Sequence, residues 1–108
     1  MTLSLNKWDI WLAKVAFEDE PNIIKNRPVL VMNNTECLVL SLKITSHGPR
    51  ANFKDEYQIL KWKEAGLLKP STIRISKKLL LPQESFIFRL GELQNIDKNN
   101  VINILSSK

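Results

Sequence analysis

Cysteine and histidine are nearly absent from this chain, which has one of each, Cys37 and His47. A single cysteine excludes an internal disulfide. One Cys with one His also argues against a zinc site built from the protein's own side chains, so no metal is expected. No apolar run approaches the roughly 20 residues that a membrane-crossing helix needs, so no membrane association is expected. The N-terminal residues lack the apolar core of a secretory signal, and the expected location is the cytoplasm. Internal repeats and low-complexity tracts are missing too.

What is present fits one small globular domain spanning residues 1–108. An apolar fraction of 44% argues against disorder. The net charge of +5 favours polyanionic or acidic partners. On charge alone, a basic surface that merely keeps the chain soluble explains it as well.

The most apolar stretch is residues 24–47. Val29-Leu30-Val31-Met32 and the run 37–45 flank a polar break at Asn33-Asn34-Thr35-Glu36. Two runs rich in Val, Leu and Ile around four turn-type residues predict an antiparallel hairpin. Both strands are nearly all apolar, which predicts burial on both faces. Cys37 lies in the second run and reads as a small buried hydrophobe rather than a nucleophile. Arg27 enters the first strand, and Thr45, Ser46 and His47 leave the second. In an antiparallel pair these ends are neighbours, so an arginine, two hydroxyls and an imidazole can meet.

Residues 8–15 fit an earlier strand, with Ile10 and Leu12 on one face and Asp9, Trp11 and Ala13 on the other. Residues 17–26 carry Pro21 and read as a long loop. Residues 48–52 break the chain after the hairpin, and 53–60 fit either a strand or one helical face. Residues 61–65 have helix propensity, with Gly66 as the stop. Residues 71–76 alternate, placing Thr72, Arg74 and Ser76 opposite Ile73 and Ile75. Residues 77–81 continue to Pro82, and 85–90 form a further strand ending at Gly91. Asp97 is an expected N-cap, Ile96 a staple on Val101, and Val101, Ile102 and Leu105 the stripe of a terminal helix. The class is mainly β (α+β): a small, strongly curved antiparallel sheet or barrel with a short central helix and a C-terminal helix.

Five pieces of the chain, in order, resemble the MazF/PemK family of toxins from bacterial toxin–antitoxin systems. They are Asp9-Ile10-Trp11-Leu12-Ala13, Arg27-Pro28-Val29-Leu30-Val31, Ile44-Thr45-Ser46, Ala65-Gly66-Leu67-Leu68-Lys69-Pro70-Ser71 and Leu90-Gly91-Glu92-Leu93. The resemblance implies an SH3-like barrel, usually dimeric. It implies an endoribonuclease that cuts single-stranded RNA without a metal or cofactor and is restrained by a cognate antitoxin. Arg27 and Thr45 fall on catalytic positions of the family. An Arg-Thr-Ile-Asp segment that some members carry is replaced here by Lys77-Lys78-Leu79-Leu80-Leu81, so its Arg/Asp pair is missing.

RNA carries its own nucleophile, the 2′-hydroxyl. Cleavage needs a base for that proton, a cation for charge developing on the phosphate, and an acid for the leaving 5′-oxygen. Arg27 suits the cation, because its planar fork pairs with phosphate oxygens. Thr45 or Ser46 can donate hydrogen bonds, and His47 is the candidate acid or base. Each has a plain counterpart: a surface ion pair for Arg27, strand-end backbone bonding for Thr45 and Ser46, a turn before Gly48-Pro49 for His47. Arg74 and Lys77 are candidate RNA contacts or ordinary solvated cations, and the three tryptophans read as core or dimer-interface residues. The alternative function is a non-catalytic barrel that binds RNA or an acidic partner peptide.

Overall fold

The computed structural model describes residues 4–16, 22–34, 38–46 and 55–106. Cys37, His47 and the break at residues 48–52 lie outside the described residues, as do residues 17–21 of the loop expected at 17–26.

Six strands form one antiparallel sheet: β1 (Asp9–Ala16), β2 (Ile24–Asn34), β3 (Val39–Thr45), β4 (Glu56–Gln58), β5 (Thr72–Leu81) and β6 (Phe86–Glu92). Their order across the sheet is β4-β5-β3-β2-β1-β6. Among the described residues there is one α-helix, α1 (Asn95–Ser106), which follows β6. The mainly β class and the C-terminal helix are as expected. The barrel is not closed: among the described residues β4 and β6 are the free edges of the sheet. Register shifts in the β1–β6, β2–β3 and β3–β5 pairs supply its curvature, because an extra residue on one strand bends it.

The expected hairpin forms as β2–β3 and is buried on both sides, but Asn33 and Asn34, expected in the break, continue β2 opposite Leu40 and Val39. Leu30, Leu42 and Ile44 face one cluster with Ile10, Ile73, Ile75, Leu93 and Val101. Val29, Val31 and Val39 face a second cluster with Trp11, Ala13, Val15 and Phe86. Alternate residues point to opposite faces of a strand, so one short hairpin serves both cores. Trp11 is buried and meets Phe86 edge-on at 6.1 Å. Trp8 and Trp62 pack at the margin of the first cluster.

Several expectations need correction. Ile24, Lys25 and Asn26 belong to β2 rather than to the loop, pairing with Ala16, Val15 and Lys14. Within the segment 53–60, Glu56–Gln58 form the strand β4. The central helix is a single turn. Its closing bonds run from the Gly66 N–H to the Lys63 carbonyl (3.1 Å) and from the Leu67 N–H to the Trp62 carbonyl (3.0 Å), a Schellman stop. Gly66 takes φ +94°, as that stop requires.

Asp97 is not an N-cap either, because α1 begins two residues earlier at Asn95. Its carboxylate is fully buried and serves a different element. It accepts hydrogen bonds from the Leu60 N–H (2.9 Å), the Lys61 N–H (2.9 Å) and the Tyr57 hydroxyl (2.5 Å). It thereby caps the start of the 60–66 turn from across the fold. Ile96 and Ile102 are about half exposed, and Val101, Ile104 and Leu105 make the packed face instead. The helix stripe is thus rotated so that Asp97 faces inward.

Candidate functional site

The cleft of interest begins as a cross-strand row. Phe88 opposes Leu12 on β1, and Leu12 opposes Pro28 on β2. Ile44 follows on β3, on the face of Leu30 and Leu42. These side chains make an apolar floor across four strands. The opposite wall is the segment 66–69, which follows the single turn, together with Leu90. The enclosed volume is about 270 Å³. Arg27, Ser46, Lys69 and Ser71 supply the polar lining, and none of the described lining residues is acidic.

Two glycines hold the wall against the floor. A Cβ on Gly66 would lie 2.1 Å from the Leu90 carbonyl oxygen, and one on Gly91 would lie 2.1 Å from the Ala65 carbonyl oxygen. The turn and β6 therefore touch main chain to main chain, a distance open only to glycine. Asp97 fixes the same turn from its other end. Burial first, and then the hydrogen bond to Asp97, push the Tyr57 hydroxyl up to about 12. Asn100 adds a 2.9 Å hydrogen bond to that hydroxyl through its amide. On the far side of β6, Lys98 of α1 pairs with Glu92 at 2.7 Å and holds its carboxyl below the usual carboxylate range.

Of the residues singled out from sequence, Arg27 and Ser46 line this cleft. Thr45 lies between Ile44 and Ser46 and so turns to the opposite face. There it opposes Thr72, which opposes Gln58 in turn. Val29 opposes Lys43, so two residues along each strand Arg27 and Thr45 share that face too. Arg27, the fourth residue of β2, thus shares the Thr45 face by alternation and also lines the cleft. Arg74 opposes Lys43 and Glu56 and is mostly buried, with its Nε 3.2 Å from a Glu56 carboxylate oxygen. Lys77 lies in the bulge between Arg74 and Lys78, away from the cleft lining. His47 lies outside the described residues.

Sequence reasoning did not single out Lys69, Ser71, Thr72 or Phe88 as site residues. Lys69 and Ser71 reach the cleft only because the turn folds back onto β6. Thr72 is fully buried, and its hydroxyl has no hydrogen-bond partner. It had been placed on a face with Arg74, and that shared face was its available signal. Phe88 reaches the cleft through a register shift between Leu12 and Ala13, which leaves Ile87 without a partner on β1.

Comparison with known proteins gives two findings. The model of the family described as PemK-like, MazF-like toxin of type II toxin–antitoxin system matches residues 6–107. Among solved structures, the chain is similar to the Mycobacterium tuberculosis toxin MazF-mt6, with a TM-score of 0.69 and 17% identity, covering 92% of this chain and 93% of that one. At that identity the likeness speaks for the fold alone. A search of curated proteins gives no match.

Proposed function

Since the chain belongs to the PemK-like, MazF-like toxin family of type II toxin–antitoxin systems, we propose that it is an endoribonuclease that cuts single-stranded RNA at a short sequence motif. The observation that carries this reading is the cleft at the hairpin base, where Arg27 and Ser46 share a largely apolar pocket with Lys69 and no described lining residue is acidic. A polyanion is favoured by that lining, and a carboxylate would oppose it.

In the proposed reaction the RNA 2′-oxygen attacks the adjacent phosphorus while its proton passes to a base. The bond from phosphorus to the 5′-oxygen breaks, and that oxygen gains a proton. The products carry a 2′,3′-cyclic phosphate and a 5′-hydroxyl. Arg27 stabilises charge on the phosphate in the transition state. Thr45 binds or protonates the phosphate, and His47 is the candidate acid or base. No step uses a metal. The partners are single-stranded RNA, a second copy of the chain and a cognate antitoxin protein, in the cytoplasm.

The test incubates the protein, and Arg27→Ala, with a mixed RNA pool in EDTA. Cuts at a recurring motif are expected, absent from a 2′-deoxy substrate. Loss of one such charged contact lowers the rate by about 10²–10³. Cleavage of the deoxy substrate, or strict dependence on added metal, overturns the mechanism.

A second reading rests on the stretch 77–81, where Leu79 and Leu81 pack against the second core cluster. That stretch supplies core contacts in place of a further Arg/Asp pair. A barrel that binds RNA without turnover follows, and binding with no cuts across the pool is its signature.

A further inference from the structure

We propose that Phe88 is the stacking face of a single-nucleobase subsite, which holds one unpaired base of the RNA beside the phosphate bound at Arg27. This rests on the nucleic-acid reading above and deepens it.

Phe88 is 51% exposed, although Phe86, two residues away on the same strand, is buried in the second core cluster. In a regular strand both would share a face. The register shift at Ile87 separates them: Phe86 opposes Ala13, and Phe88 opposes Leu12 on the cleft side. Bulges of this kind re-aim a side chain. Here the strand presents an aromatic ring to a pocket instead of burying it. Leu67 and Leu68 line the cleft too, and Leu68 is 96% exposed.

The occupant is set by three properties of the lining. The volume of about 270 Å³ falls just below the usual 300–1,000 Å³ of small-molecule sites, which suits one base rather than a folded partner's helix. The floor of Leu12, Pro28 and Ile44 is apolar and carries the exposed ring of Phe88, which suits the face of a base. The cations Arg27 and Lys69 both line the cleft, and its described lining residues include no Asp or Glu, which suits the phosphate attached to it. An acidic peptide satisfies the third property, but its carboxylates offer no π-face to the exposed Phe88 ring.

The experiment measures binding of a non-cleavable 2′-deoxy oligonucleotide that carries the cleavage motif, or of an oligothymidine if no motif emerges. Wild type is compared with Phe88→Ala and Phe88→Trp. Phe88→Ala is expected to weaken binding about 5- to 100-fold, and Phe88→Trp to retain it. A series with one abasic position at a time locates the base: at one position the abasic loss and the Phe88→Ala loss do not add. Equal binding by Phe88→Ala, or fully additive losses at every position, overturns the subsite. A change in oligomeric state with unchanged oligonucleotide binding also overturns it, by assigning the cleft to a second copy of the chain. Binding is read without turnover, so absence of cleavage refutes the ribonuclease and leaves this test intact.

Discussion

Replacing Asp97 separates two roles that a helix-terminal aspartate can play. An N-cap lost to alanine costs about 1 kcal/mol. The carboxylate seen here is fully buried and accepts from the Leu60 and Lys61 N–H groups and from the Tyr57 hydroxyl. Hydrogen bonds to a charged acceptor contribute about 1.5–3 kcal/mol each, and orphaned buried donors add their desolvation cost. The three do not sum fully, because Leu60 and Lys61 are exposed and water reaches their amides once the turn lifts. Asp97→Ala is therefore expected to cost about 3–5 kcal/mol. For a domain of this size Tm falls by about 4 °C per kcal/mol, hence about 12–20 °C in all. Asp97→Asn falls between, since it keeps one acceptor but turns an amide donor toward a backbone N–H. Thermal unfolding followed by circular dichroism reads both variants, with the exposed Ile102→Ala as a control. A drop of only about 4 °C for Asp97→Ala would refute the cross-fold role and restore the N-cap.

Other outcomes are expected from the same geometry. Tyr57 is the only tyrosine, so ultraviolet titration of tyrosinate reads a single group, with a midpoint expected near 12 rather than 10. Its folded value is raised, so the stability it contributes is full below pH 10 and lost as pH climbs from 10 to 12; Tyr57→Phe should flatten alkaline unfolding over that window. Gly66→Ala combines a left-handed backbone with a collision at the Leu90 carbonyl, and a Tm loss of about 10 °C or more is expected. An unchanged Tm in Gly66→Ala would mean that the turn does not seat on β6. Arg27→Ala should leave Tm within a few degrees of wild type while activity falls, because its side chain is only half-buried.

The parts of the fold written in local pattern were legible. The hairpin, the faces of β1 and the alternation of β5 follow from period-two burial, and Trp11 and Val29 went to the core as that period requires. The start of β2 was not legible, because Ile24, Lys25 and Asn26 are exposed and become strand only by pairing with Lys14, Val15 and Ala16. Asp97 was misread for a related reason. Its local context matches an N-cap, while its partners are 36 to 40 residues away. At the site, Arg27 and Ser46 were visible as strand ends that an antiparallel hairpin brings together. Phe88 was hidden by the unpaired Ile87, which reverses the parity on which any face assignment depends.

The contact between Gly66 and Gly91 also constrains how this sequence can change. Most tight contacts can be relieved by trimming a neighbouring side chain, so a harmful substitution leaves room for a compensating one. Here each glycine faces the other's main chain and the adjacent carbonyl, and neither presents a side chain that could be made smaller. Keeping glycine at one position does nothing to admit a larger residue at the other. The pair therefore has no second-site suppressor within the contact itself. Any lineage that alters one of them must move the turn, and the cleft wall with it.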